Sequence, residues 1–541
     1  MFASAPPRRA AGLPWLEPGH SRRGPRRRRR RRPTTAWLAP LALVAVVAGG
    51  VAILVRHNDR VTRERQDAAR YARAWVARDS AAMWEALATQ SQQAYPLDRF
   101  RRLVAQADHA ATVSRVRLGR AADPKGGAVV IPVAVDTRLY GTLRGRIRLA
   151  VAGGGGVQWT PELRLPGVRP GEAIASRKLQ DSKPASVLTS DGRQLQDDPV
   201  LAPFFPGLQR RFRSRLTGRP GAELRFGRRI VARVAPQPGR SVRSSLRPAL
   251  QRVAQQALGN RLGGVAVLRP SDGSVLALAG IAVSAPQPPG STFKIITLSA
   301  ALAAGVASPS STFPVTTSAT LSGFKLANAN NESCGGSLVT SFAKSCNSVF
   351  APLGARVGAQ KLVARAEAFG FNETPRVPVA KPSTIPAASQ LRDALAVGAS
   401  AIGQNKDLAT PLAMASVAAA IGEHGMRAKP RAVMSDPVQR RRAVSARVAQ
   451  QVKDMMIAVV QSGTGTSAAL PGVQVAGKTG TAELRYTGSG TPDPRNTDAW
   501  FVAFAPASNP RVAVGVMLVG AGYGGDSAAP IARQVLAAAL R

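Results

Sequence analysis

The chain has 541 residues, enough for roughly two to four domains, and its 45% hydrophobic content excludes wholesale disorder. Its formal net charge of +44 is carried mostly by arginine, but aromatics are only 5% and no nucleic-acid module is visible, so we read a compositional bias plus one basic tract rather than a nucleic-acid binder. The four histidines are scattered and the two cysteines lack C-x-x-C spacing, which excludes a Ser-His-Asp triad, a histidine-rich metal centre and a zinc site; no metal or cofactor is expected.

Residues 1–35 form a basic tail rich in Pro, Gly and Arg, with the unbroken run Arg26 to Arg32, and no fold is expected there. The uncharged apolar stretch within 36–56 has the length of one helical membrane crossing. A cleavable signal peptide is the competing reading, but no small-x-small cleavage site follows the apolar run, so an uncleaved anchor is favoured. The arginines on its N-terminal side place residues 1–35 in the cytoplasm and the rest of the chain outside. The expected location is therefore the cell membrane, single-pass, with a basic surface facing an anionic envelope.

From Asp59 to about Leu87 apolar positions including Tyr71, Trp75 and Met83 recur at helical spacing, and Phe100 to Ala107 reads as a shorter helix. Ala128 to Val135 and Leu143 to Val151 alternate as strands, and Gly153 to Gly156 marks a turn before Val157-Gln158-Trp159. Helices followed by strands predict a small α+β domain over 59–167. With Trp159-Thr160-Pro161-Glu162 and Leu165-Pro166-Gly167, this stretch resembles an NTF2-like domain.

Residues 168–245 carry frequent Pro, Gly and Arg without a long period and read as a connecting region. Regularity returns in the stretch 246–541. Arg247 to Leu258 is an amphipathic helix, and Gly264 to Leu268 and Ser274 to Ala279 are strands joined by the turn Pro270-Ser271-Asp272-Gly273. Strands follow at Val473 to Thr481, Asp498 to Phe504 and Val512 to Val519, and Ala528 to Leu540 closes the chain as a helix. That order predicts one antiparallel sheet flanked by terminal helices, with a helical subdomain inserted.

Pro288-Pro289-Gly290 breaks the chain before Ser291, and an apolar helix continues from Ile295 to Leu302, so Lys294 lies one turn beyond Ser291 on the same face. A lysine so placed can activate a hydroxyl without histidine. Ser345-Cys346-Asn347 falls in a helical region, and Lys478-Thr479-Gly480 falls on the third predicted strand. Alone, each has an ordinary structural explanation: a capping serine, a solvated lysine, an edge-strand charge. Ser-x-x-Lys, Ser-x-Asn and Lys-Thr-Gly in that order form the signature of penicillin-binding proteins and serine β-lactamases. Ile402-Gly403-Gln404, Thr410 to Ala415, Gly463-Thr464-Gly465 and Gly477 to Glu483 resemble class B penicillin-binding protein segments. NTF2-like domains open the extracellular region of some members, so nearly the whole chain resembles one class B enzyme: an α+β multidomain protein with a transmembrane helix, an NTF2-like domain, a linker and a serine β-lactamase/transpeptidase-like domain. The linker departs from the family's Arg-Gly and Asp-Arg-x-Gly signature, reading Lys183 to Gly192 instead.

The resemblance implies a D,D-transpeptidase that crosslinks peptidoglycan stem peptides and is acylated by β-lactams as covalent inhibitors. Ser291 is then the nucleophile, Lys294 its base, Ser345 a proton relay, Asn347 a holder of Lys294 and of a substrate carbonyl, and Lys478 a source of positive potential. Thr479 and Thr481 are candidate carboxylate binders. Gly480 permits the close backbone approach of an extended peptide, and the N–H groups of Ser291 and Thr481 are the implied oxyanion hole. A disulfide between Cys334 and Cys346 is permitted outside the membrane and is favoured over two free thiols. With no glycan-polymerising domain visible, the expected partners are a membrane glycan polymerase and division or elongation proteins. A β-lactamase or D,D-carboxypeptidase remains an alternative, though Glu367, Glu373 and Glu423 do not fit a Glu-x-x-Leu-Asn deacylation motif; a non-catalytic scaffold for wall assembly is another.

Overall fold

The computed structural model describes residues 59–179, 183–484 and 493–541. They divide into two compact units, one running to residue 176 with 224–232, the other containing 177–223 and 233–541. The basic tail and the apolar stretch 36–56 lie outside the described residues. Among the described residues no helix is long and apolar enough to cross a membrane.

The first unit packs helices α1 (Asp59–Ala77), α2 (Ser80–Glu85), α3 (Thr89–Ala94) and α4 (Leu97–Ala111) with strands β1 (Val113–Leu118), β2 (Ala128–Thr137), β3 (Gly141–Val151) and β4 (Val157–Gln158). The strands form one antiparallel sheet in the order β1-β2-β3-β4. The helix expected from 59 to 87 is broken at Arg78, whose φ is +58°, and Asp79 restarts it by accepting from the N–H groups of Ala81 and Ala82. β1 had no alternating apolar signal to betray it, because Ser114, Arg115 and Arg117 interrupt its two buried valines. Trp159 organises the core. Its indole Nε1 donates to the buried Tyr71 hydroxyl at 3.0 Å, and its ring meets the edges of Tyr95 and Phe100 at 4.8 Å each.

In the second unit, α5 (Pro248–Leu258) precedes β5 (Gly263–Leu268) and β6 (Val275–Gly280). The helical part includes α6 (Lys294–Ala303), α7 (Leu338–Ala343), α8 (Asn347–Val357), α9 (Ala394–Ala401), α10 (Pro411–Gly422) and α11 (Ala446–Ser462). The chain then returns through β7 (Ala476–Glu483), β8 (Thr497–Ala505) and β9 (Val512–Leu518) to α12 (Ala529–Leu540). The five-stranded sheet runs β6-β5-β9-β8-β7, every neighbour antiparallel, which leaves β7 on an edge.

Both faces of this sheet are buried, so β5, β6, β8 and β9 are largely apolar instead of alternating, whereas edge strand β7 carries Lys478, Thr479, Thr481 and Glu483. Along β8, Trp500, Val502 and Phe504 join a core with Phe293, Ile295, Leu412 and Met414, whereas Phe501 and Ala503 join Leu250, Leu258, Ile531 and Val535 of the terminal helices. The stretch read as a connecting region contains short elements, among them helices Phe205–Arg211 and Arg213–Thr217 and strands Ala222–Phe226 and Arg229–Val234. Each is shorter than the window over which periodicity becomes readable.

Trp159→Ala should cost the first unit about 3–5 kcal/mol. The expected result is loss of hydrogen-exchange protection in β2 and β3 with protection of the second unit's sheet unchanged.

Candidate active site

Ser291 lies in a single 3₁₀ turn, Gly290–Phe293, and α6 begins only at Lys294. It therefore belongs to a separate tight turn before the helix rather than capping the helix itself. Two backbone contacts fix this turn. Gln287 and Ala409 exchange hydrogen bonds at 2.9 and 2.8 Å, and the Gly290 N–H donates to Gly403 O at 3.0 Å. Gly290 has φ +51°, and a Cβ there would stand 2.6 Å from Thr481 O, so only glycine lets the serine turn close against β7. Among the described residues, the half-buried Ser291 hydroxyl makes no hydrogen bond.

Lys294 and Lys478 are both fully buried. The Lys294 Nζ donates to Ser345 O and to Asn347 Oδ1, each at 2.6 Å, and lies 3.4 Å from Ser345 Oγ. Lys478 Nζ donates to that same Ser345 Oγ at 2.8 Å and to Thr479 O at 3.0 Å. The ammonium groups also lie over aromatic rings, Lys294 over Phe350 at 5.7 Å and Lys478 over Phe342 at 5.5 Å. Burial, reinforced by the positive charge of Lys478, holds Lys294 well below the ordinary lysine range, and burial lowers Lys478 to about 7. No carboxylate contacts either amine among the described residues, so the pair repel each other when both are charged. A neutral amine beside a protonated one resolves the conflict.

Ser345 sits between α7 and α8 in the left-handed region, with φ +64°. For a residue with a Cβ that conformation costs about 1–3 kcal/mol. The turn is held by Ser345 N donating to Phe342 O at 3.1 Å and by Cys346 N donating to Ser341 O at 2.9 Å. Cys346 is joined to Cys334 by a disulfide across 12 residues of sequence separation. Asn347 is clamped on its other side, its Nδ2 donating to Ala327 O at 2.9 Å while Asn328 Oδ1 accepts from Ser348 N at 2.8 Å. The hairpin of Ser318–Leu321 and Phe324–Ala327 thus backs the Ser345–Asn347 turn.

On edge strand β7 the Thr479 hydroxyl pairs with that of Thr464. Gly480 is a point of close approach, since a Cβ there would lie 2.9 Å from Pro289 O, Thr292 Cγ2 and Trp500 Cβ alike. Thr481 pairs with Ala499 across the sheet and is partly exposed. The structure thus brings Lys294, Ser345, Asn347 and Lys478 into one hydrogen-bonded row, with Ser291 and Thr481 joined through the Gly290 contact. Thr464, from the segment Gly463-Thr464-Gly465, joins the site through Thr479, and Phe342, Phe350 and Ala327 also belong to it and were not singled out by sequence. Phe342 and Phe350 had only their positions three before and five after Ser345 to mark them.

Residues 263–537 match the penicillin binding protein transpeptidase domain. The chain belongs to that family. Peptidoglycan D,D-transpeptidase PbpA of Mycolicibacterium smegmatis is 37% identical over 390 residues, covering 58% of this chain and 76% of that protein. Penicillin-binding protein A from M. tuberculosis, solved as its penicillin G acyl-enzyme complex, aligns with a TM-score of 0.52 at 31% identity, covering 66% of this chain and 92% of that one. The D,D-transpeptidase domain of a peptidoglycan glycosyltransferase from Eggerthella lenta aligns with a TM-score of 0.58 at 29% identity, covering 67% of this chain and 99% of that one.

In a penicillin-binding domain built this way, Gly290→Ala forces the serine turn away from β7. Acylation by a fluorescent penicillin should slow by about 100-fold, the cost of roughly 1 Å of misplacement, measured as the rate of covalent labelling.

Proposed function

We propose that in this serine-type peptidoglycan D,D-transpeptidase, a class B penicillin-binding protein, Ser291 carries the acyl group from a D-Ala-D-Ala donor to an acceptor amine. The observation that carries this reading is the row Lys294–Ser345–Lys478, in which one hydroxyl is shared by two buried amines without a counter-ion among the described residues. A neutral Lys294 has two N–H bonds to give, and Ser345 O and Asn347 Oδ1 take them both. Its lone pair remains for the Ser291 proton.

Ser291 Oγ attacks the carbonyl carbon of the penultimate D-alanine as its proton passes to Lys294 Nζ. The carbonyl π pair moves onto oxygen, which the N–H groups of Ser291 and Thr481 receive. The Ser291 N–H lies in the first turn of its 3₁₀ segment, where no helical carbonyl is available to it. The tetrahedral intermediate then collapses with cleavage of the C–N bond. The leaving nitrogen takes a proton from Ser345 Oγ, which is replenished from Lys478 or Lys294, and free D-alanine departs. The acceptor amine repeats the sequence in reverse and frees Ser291. Lys478, with the Thr479 and Thr481 hydroxyls, holds the donor's terminal carboxylate, and the β7 edge pairs with the extended peptide. A β-lactam follows the first half of the path and remains on Ser291.

The wider organisation follows from the sequence. Residues 1–35 are the cytoplasmic tail and 36–56 the membrane anchor, supported by the uncharged apolar run and the flanking arginines. Residues 59–167 form an NTF2-like spacer, supported by helices α1–α4 followed by an antiparallel sheet, and 168–245 connect it to the catalytic domain at 246–541. Glycan strands come from a partner polymerase in the membrane, working with division or elongation proteins.

Ser291→Ala should abolish covalent labelling by a fluorescent penicillin, and Lys294→Ala should slow it by about 10²- to 10⁴-fold; undiminished labelling of the serine variant would sink the assignment. The pH dependence has a definite sign. Lys294 must be neutral, so acylation rises with pH through its lowered pKa. Lys478 must be charged, so acylation falls above about 7. Lys478→Arg, which stays protonated, should remove the alkaline limb and keep the acid one, as followed by labelling rates across pH.

A further inference from the structure

A separate pocket in the second unit, partly open to solvent and with about 40 Å³ of interior space, lies between the segments 369–383, 410–416 and 427–430. Four cationic side chains line it, Arg376, Lys381, Arg427 and Lys429, against one carboxylate, Glu373. Glu373 is committed, accepting from Arg427 Nη1 at 2.6 Å and pairing with Lys429 Nζ at 2.5 Å. Arg427 is only 8% exposed. Its Nε donates to Ser416 Oγ at 3.3 Å, and its Nη2 finds no acceptor among the described residues. Lys381 makes no ion pair among the described residues.

Three buried hydroxyls complete the wall. Ser383 Oγ accepts from Thr410 N at 3.0 Å, Thr410 Oγ1 accepts from Ala413 N at 3.2 Å, and Ser416 Oγ accepts from Arg427. Each has its O–H proton still to give, since none donates among the described residues. The N-terminus of the 12-residue helix α10 borders the cavity at Leu412 and Ala413 and adds partial positive charge. Donors therefore exceed acceptors, with excess positive charge and one deeply buried guanidinium. Glu373 already supplies the two oxygens a carboxylate offers. A phosphate brings more acceptor oxygens and up to two negative charges.

We propose that this cavity binds the phosphate group of an anionic ligand and that its occupancy bears on Ser291. The connection is made of backbone. Ser383 holds Thr410, Thr384 and Leu408 exchange hydrogen bonds at 2.8 and 2.9 Å, and Ala409 pairs with Gln287, which leads directly into the serine turn. A phosphate bridging Arg427 to the Ser383 and Thr410 hydroxyls fixes the 403–410 segment on which Gly290 rests, and so favours the acylation-ready turn. This second part rests on Ser291 being the nucleophile; the binding does not.

Titration calorimetry with inorganic pyrophosphate, at constant ionic strength and on the full chain, tests the site. One-site binding is expected, weakened about tenfold or more by Lys381→Gln and by Ser416→Ala, and unaffected by Arg533→Gln on the exposed face of α12. No saturable binding, or equal weakening by all three variants, would overturn it, the latter marking diffuse attraction to a basic surface. Vesicles containing phosphatidylglycerol identify the source: competition with pyrophosphate assigns a lipid headgroup, and its absence assigns a soluble phosphate ester. The rate of penicillin labelling should rise about fivefold at saturating pyrophosphate, with the calorimetric half-saturation. An unchanged rate despite binding overturns the coupling alone, and labelling that survives Ser291→Ala identifies failure of the nucleophile assignment instead.

Discussion

Two lysines buried without a carboxylate partner among the described residues set the terms for the rest of the catalytic unit. Removing an ammonium from water is costly, and two of them sharing the Ser345 hydroxyl is costlier still. The surroundings answer with what can be supplied short of a counter-ion: two carbonyl oxygens for Lys294, one for Lys478, and the faces of Phe350 and Phe342. These partners stabilise the amines in place without fixing their charge. On the proposed reading of Lys294 as the base, a salt bridge would hold it protonated and useless, so the lack of an acid partner among the described residues suits that chemistry.

The architecture exists to hold that arrangement rigid. Lys478 stands on an edge strand whose neighbours are buried on both faces, and Lys294 stands on a helix whose apolar residues join one of those cores. Ser345, the hydroxyl between them, is the strained element, and it is over-determined by backbone bonds from both flanking helices and by the Cys334–Cys346 disulfide. Strain at Ser345 and rigidity at the lysines suit its proposed role as a relay, since a relay works only when donor and acceptor distances are fixed before substrate arrives.

How far the sequence could be read differed between the two units for a physical reason. The catalytic sheet was legible because β5, β6, β8 and β9 are apolar runs bounded by turn residues and β7 carries the Lys478-Thr479-Gly480 segment. In the first unit Ala128 to Val135 announced itself by alternation, whereas β1, interrupted by polar side chains, did not. The single helix expected to 87 became two because Asp79 caps a new start, a local preference that apolar spacing does not register. Residues 168–245 defeated pattern reading because their elements are too short to show a period.

The sequence by itself determined the order of the chemistry-bearing residues: Ser291 and Lys294 at a helix start, Ser345 and Asn347 between helices, Lys478 to Thr481 on a strand. Local rules reach that far, since turns, helix starts and strands depend on near neighbours. Only the tertiary structure decided that the two lysines meet at one hydroxyl, that Ser345 adopts φ +64°, that Phe342 and Phe350 lie under the amines, and that Gly290 touches Thr481. Those contacts join segments up to about 190 residues apart and arise from packing, which no local pattern encodes.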